Sequence, residues 1–148
     1  MFIDPKAQLV ANGADGDRLA LSVSERFGIC VRALDRFTCG EVLDRFTGRI
    51  GSEISQHSLQ VEAGRHISET RFIGFLSHGC DPNCRLDMAK FELVALRNIA
   101  AGDILTIDYA ETEDELHRQF ACGCGADACR SWIVGRSEPR PRNAAAAA

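Results

Sequence analysis

Apolar residues along this chain come in short runs, broken every few positions by Gly, Asp or Asn. That spacing predicts many short strands and little helix. Residues 19–23 (LALSV) alternate in polarity after the turn-rich stretch NGADGD at 12–17. Residues 27–34 and 41–50 carry Val, Ile, Phe and Thr between glycines and predict two more strands, and 58–61 predicts a short fourth. Residues 91–96 (FELVAL) are apolar on both parities, the mark of a strand covered on two sides. Residues 103–109 (DILTIDY) predict a strand with Leu105, Ile107 and Tyr109 on one face and Ile104, Thr106 and Asp108 on the other. Two short helices are predicted, over 71–76 and over 113–120, the second opened by Thr112 and Glu115 in a capping-box pattern. No internal repeat is visible.

A chain of 148 residues fits one domain, and its 45% hydrophobic and 26% charged residues allow an ordinary core without disulfides. The formal net charge of -4 argues against direct binding of nucleic acid and is compatible with a basic substrate such as a Lys-rich peptide. No run approaches the roughly 20 apolar residues that span a membrane. The opening MFIDPK lacks the layout of a signal peptide, so an intracellular protein without membrane contact is expected. Residues 1–17 read as an N-terminal arm. Residues 136–148, with three Arg, two Pro and a terminal Ala run, read as a disordered tail.

The seven Cys are an odd number. In a reducing compartment, clustered Cys points to metal rather than to disulfides. Cys122, Cys124 and Cys129 fall in the run CGCGADAC, and three thiols so spaced can wrap a tetrahedral ion from one loop. A closed site needs a fourth, and Cys80 and Cys84 in the run CDPNC both qualify. Zn²⁺ suits four thiolates, and its binding adds folding energy to a loop with little core of its own. Cys30 and Cys39 lie in strand-like contexts and are assigned to the core.

Residues 75–83 (FLSHGCDPN) resemble the SET-domain motif Asn-His-Ser-Cys-x-Pro-Asn. Residues 101–109 (AGDILTIDY) resemble that family's Gly-Glu-Glu-Leu-x-x-x-Tyr segment, and residues 120–130 (FACGCGADACR) its post-SET zinc motif. Phe27 and Gly28, with Arg32, Ala33, Leu34, Gly40 and Glu41, are similar to the first SET motif. The four elements stand in the family's order across roughly residues 20 to 135, and on them the chain is identified as a member of the SET-domain family.

The resemblance implies a mainly β fold, with small curved sheets around a pseudoknot in which the segments holding His78 and Tyr109 cross. It implies a SET domain over 18–117 and a post-SET zinc-binding segment over 118–135. It implies an S-adenosylmethionine-dependent protein-lysine N-methyltransferase, with cofactor on one side and the lysine entering a narrow channel from the other. Tyr109 matches the catalytic Tyr. Phe27, Gly28, Ser77, His78, Tyr109 and Phe120 match cofactor-binding positions, and Phe75 and Trp132 are assigned to the substrate channel. Cys80, rather than Cys84, joins Cys122, Cys124 and Cys129 on a structural Zn²⁺. The implied partner is a protein with a target lysine, a histone among the candidates, or else a small molecule; oligomeric state stays open. Two other readings stand beside it: a SET scaffold acting on a small molecule, by methyl transfer or another reaction, and a non-catalytic zinc-stabilised binding module.

The chain departs from the family pattern at named positions. Ser77 replaces the motif Asn, Gly79 replaces the motif Ser, and Gly74 stands where an Arg is common. Ser offers one hydroxyl where Asn offers a donor and an acceptor, a difference of about 1–2 kcal/mol if one bond is lost. Tyr109 is the sole Tyr, so Phe residues must line any channel where relatives use a second phenol.

Overall fold

The computed structural model describes residues 16–142. Most of the arm expected over 1–17, and residues 143–148 of the expected tail, lie outside the described residues. The alternating runs form strands. β1 (Leu19–Ser24) and β2 (Gly28–Ala33) make an antiparallel hairpin in register from Leu19↔Ala33 to Ser24↔Gly28. β3 (Val42–Arg45) leads to a second group, β4 (Arg49–Gly51), β5 (Leu59–Glu62) and β6 (Arg65–Ser68), which form one sheet in the order β4-β6-β5. After a single 3-10 turn at Ile73–Phe75 come β7 (Ser77–His78), β8 (Cys84–Asp87) and β9 (Glu92–Ala95), the last two joining β3 in the order β3-β9-β8. β10 (Thr106–Ile107), the four-residue helix α1 (Tyr109–Thr112), β11 (Phe120–Ala121) and β12 (Trp132–Ile133) complete the order.

The crossing that matters joins β7 and β10, two parallel strands of two residues each, paired Thr106↔Ser77 and Ile107↔His78. So short a ladder needs support, and Asn83 gives it. Its side-chain amide donates to the Ile104 carbonyl at 2.9 Å and its oxygen accepts the Thr106 N–H at 2.8 Å. The Gly79 N–H adds a bond to the Ile107 carbonyl at 3.0 Å. On the far side, the segment entering β10 bridges to β2 at Arg32↔Ile104. Leu105 and Ile107, buried as expected from their shared parity, lock the crossing into a core with Val31, Phe37, Leu43, Ile67, Ile73, Leu93 and Ile99. Each such side chain contributes about 1.5–3 kcal/mol of burial. The mainly β architecture of small sheets is the one expected.

Several expectations are corrected. The strand over 41–50 is two strands, because the backbone at Gly48 passes so close to β6 that an added Cβ would lie 2.3 Å from the Ser68 carbonyl oxygen. The strand over 103–109 ends at Ile107, where Asp108 turns outward and accepts the Ala110 N–H at 3.0 Å to cap α1. The helix over 113–120 is absent. Glu113 ends α1 instead of opening a helix, and its carboxylate accepts the Gln60 N–H from β5. The helix over 71–76 shrinks to the 3-10 turn. Cys39 is exposed rather than core, its thiol donating to the Leu96 carbonyl, whereas Cys30 is fully buried. The stretch expected to be disordered from 136 starts out tied down. Glu138 accepts from the Leu116 and Gly135 N–H groups, and Arg136 donates to Asp114 and to the Glu111 and Thr112 carbonyls.

Candidate active site and thiolate cluster

The β7–β10 crossing, the β1–β2 turn and the start of β11 enclose one cavity of about 450 Å³. Six of the residues assigned from sequence to cofactor or substrate line it: Phe27, Phe75, Ser77, His78, Tyr109 and Phe120. Gly28 sits at the end of the hairpin turn with φ of +69°, a left-handed conformation that glycine adopts without strain. Trp132 is not among the lining residues. It pairs with Ala121 in the β11–β12 ribbon, and its indole donates to Gln119 at 3.0 Å, beside the cavity rather than in its lining.

Tyr109 opens α1, which points its ring back across the cavity to the 3-10 turn, where the phenol donates to the Leu76 carbonyl. Burial, with the Glu113 carboxylate nearby, pushes the phenol up to about 12. His78 is 4% exposed. Burial draws it down to about 4, with Asp108 opposing that shift and Arg130 adding to it, so the ring is neutral. Its Nδ1 accepts the Tyr109 N–H at 3.1 Å, which leaves the ring proton on Nε2, 3.4 Å from the Cys80 sulfur. The rings of His78, Tyr109 and Phe120 meet edge to face, with centroids 5.2 to 5.9 Å apart.

Ser77 is 5% exposed, and its hydroxyl has no hydrogen-bond partner among the described residues. The departure at Gly74 has a steric reason: a Cβ there would lie 2.3 Å from the His57 carbonyl oxygen, and the Gly74 carbonyl bonds His57 Nδ1 at 3.0 Å. His57 in turn stacks on Phe75 at 4.3 Å, and the pair forms one wall of the cavity.

The ligand atoms of Cys80, Cys122, Cys124 and Cys129 all lie within 4.8 Å of one another, as a single tetrahedral ion requires. Cys84 is excluded. It is fully buried in the core, and burial pushes its thiol up to about 12. Burial also opposes ionisation of Cys124, but hydrogen bonds from backbone N–H groups and the neighbouring thiols outweigh it and draw that thiol down to about 6. The cluster forms part of the cavity wall, since Cys122, Gly123 and Cys124 line it. From the opposite side Arg26 donates to the Cys124 carbonyl at 3.0 Å.

Sequence reasoning missed two carboxylates near Tyr109, the half-buried Asp108 and the buried Glu113. Asp108 takes a bidentate pair from Arg130 at 2.9 and 2.6 Å. Glu113 lines the cavity, and burial raises its carboxyl above the usual range. No ion pair among the described residues involves it. Asp108 adjoins Tyr109 and Arg130 adjoins Cys129, so adjacency to the motifs was the available signal.

Comparison with known proteins agrees with this geometry. A family model described as SET domain matches residues 17–110. A methyltransferase, flvH, of Aspergillus flavus is 28% identical over 110 residues, covering 72% of this chain and 62% of that protein. An H3 lysine-9-specific histone-lysine N-methyltransferase, KMT1, of Fusarium mangiferae is 27% identical over 146 residues, covering 84% of this chain and 39% of that one. The chain thus spans less than two thirds of either relative. The crystal structure of KRYPTONITE in complex with mCHG DNA and SAH superposes with a TM-score of 0.61 at 26% identity, over 77% of this chain and 28% of that chain.

Proposed function

The chain belongs to the SET-domain family, and from that premise we propose that it transfers a methyl group from S-adenosylmethionine to the side-chain amine of a protein lysine. The observation carrying this reading is the single cavity that gathers Phe27, Ser77, His78, Tyr109 and Phe120 against a wall of the thiolate cluster. S-adenosylmethionine, when bound, supplies an electrophilic methyl carbon on a sulfonium. Ser77, with the backbone of Ser77 and His78, and the rings of Phe27 and Phe120 are the groups that would hold it. The fit is supported by the orphaned Ser77 hydroxyl: a buried polar group without a partner costs about 1–3 kcal/mol, which a polar ligand removes. Zn²⁺ fits the four convergent sulfurs and would stiffen the wall rather than join the reaction.

Tyr109 acts as an orienting group. Its proton is committed to the Leu76 carbonyl, so its lone pairs remain for the incoming amine. A phenol held at about 12 stays neutral and is not the base. Glu113 brings to the cavity a buried carboxyl that accepts the Gln60 N–H and makes no ion pair among the described residues, a group whose negative form a cationic amine would stabilise. Burial raises its carboxyl above the usual range, which makes it a better proton acceptor than an exposed carboxylate.

A small amine is the second reading. Between β3 and Ser77 only the three-stranded β4-β6-β5 sheet and one 3-10 turn intervene, which leaves little surface to read a long peptide. Labelled-methyl transfer into histones, lysate protein and metabolite pools tests both. Label in protein supports the first reading, and label confined to small molecules selects the second. No transfer, together with no heat on titrating S-adenosylmethionine, leaves a binding module.

A further inference from the structure

We propose that Arg130 and His78 are positioning residues that carry the state of the four-thiolate site to Tyr109. Two short paths of named contacts connect them. On the first, the Arg130 N–H donates to the Cys80 sulfur at 3.4 Å, which seats Arg130 on the cluster immediately after its last thiol. The Arg130 guanidinium then grips both oxygens of Asp108 at 2.9 and 2.6 Å. One of those oxygens also accepts the Ala110 N–H at 3.0 Å, so the carboxylate that Arg130 holds is the cap of the helix that Tyr109 opens. On the second path, His78 Nδ1 accepts the Tyr109 N–H at 3.1 Å, which makes Nε2 the ring's donor, 3.4 Å from the Cys80 sulfur. A sulfur held on a metal keeps the position and charge that both donors need.

The arrangement has a mechanical consequence. α1 is one turn long and too short to hold its own position, since an isolated turn is unfavourable. Its first residue is fixed at N–H and cap by groups that both lead to Cys80. Loss of the ion frees Cys80 and slackens both contacts together, and the Tyr109 ring loses its register against the Leu76 carbonyl. Arg130 and His78 thus give the ion control over the orientation of a phenol it does not touch. The inference rests on the proposed role of Tyr109 only for its effect on catalysis; the coupling itself is independent of that role.

Amide hydrogen exchange of the full chain tests it. In the zinc-loaded wild-type protein, residues 109–112 are protected, and stripping the metal with a chelator speeds their exchange by about tenfold or more. Asp108→Asn keeps a side chain able to cap α1 but breaks the ion pair. Arg130→Gln breaks it from the other side, and Arg130→Lys, a point charge that cannot grip both oxygens, gives partial rescue. Both ion-pair variants retain about one zinc per chain, yet exchange over 109–112 several-fold faster than wild type with metal bound. If Arg130→Gln does not fold, Asp108→Asn decides. Unchanged exchange over 109–112 on chelation, or wild-type protection in zinc-loaded Asp108→Asn, overturns the proposal. Coupling observed in a protein that transfers no methyl group upholds it while removing the proposed activity.

Discussion

Tyr109 holds its proton in surroundings that resist losing it, and being the sole Tyr it can be titrated without interference. Tyrosinate absorbance in the folded protein should show ionisation near 12, against about 10 in denaturant. The sign for stability follows. Between those values the unfolded chain has released a proton that the folded chain keeps, so stability is full below pH 10 and falls as pH rises toward 12, by about 3 kcal/mol. Tyr109→Phe should flatten that alkaline slope and cut methyl transfer by about a hundredfold or more, with cofactor affinity nearly unchanged; equal activity would remove the phenol from the mechanism. Ser77 makes an opposite pair of predictions. Its unpartnered hydroxyl costs free energy, so Ser77→Ala should raise the unfolding free energy from chemical denaturation slightly, by about 1 kcal/mol. The same change should weaken S-adenosylmethionine binding by calorimetry. Weakening of both together would make the hydroxyl structural instead.

Elements are held here by side chains as much as by ladders. Glu138 accepts from the Leu116 N–H at 2.9 Å, the Gly135 N–H at 2.8 Å and Gln119 at 3.0 Å, closing the chain's last turns onto the stretch that follows α1. These interactions draw its carboxyl below the usual range despite burial. Glu138→Ala leaves two N–H donors without partners and should cost about 1–3 kcal/mol in a urea titration; a shift inside error would show the turn to be self-sufficient. The same contacts explain what the sequence disclosed. β1, β2 and β9 were legible because their patterning is local. β7, β11 and β12 are two residues each, too short for any periodicity to announce them, and β7 exists only through its pairing with the distant β10. The capping box at Thr112 and Glu115 pointed to a helix that tertiary structure overrides, because β5 offers the neighbouring Glu113 the buried Gln60 N–H. At the site, Cys spacing and motif order were readable. The Arg130 grip on Asp108 was not, since it exists only once Cys129 has been folded back onto Cys80.

At the scale of the whole molecule the chain divides into a part that a core holds and a part that sulfur holds. The main apolar cluster runs from Leu19 to Ile107, with Tyr109 packed on its margin. Beyond it residues 118–135 have a two-residue ribbon, one fully buried apolar side chain in Ile133, and three partly exposed thiols that converge on Cys80. Burial alone is too small there to offset the entropy of ordering the loop, at about 1–2 kcal/mol per residue for backbone. A metal ion on the four convergent sulfurs would supply the difference. Metal analysis should therefore find about one zinc per chain. Chelation should make the two parts unfold separately, and the chain carries its own reporter, because Trp132, the single Trp, lies in the sulfur-held ribbon. With zinc bound, indole fluorescence and far-ultraviolet circular dichroism should follow one thermal transition. Without it the fluorescence change should come first and at lower temperature, while the strand signal persists to the higher one. A single coincident transition in the chelated protein would mean that the core, and not the sulfurs, holds the C-terminal wall of the cavity in place.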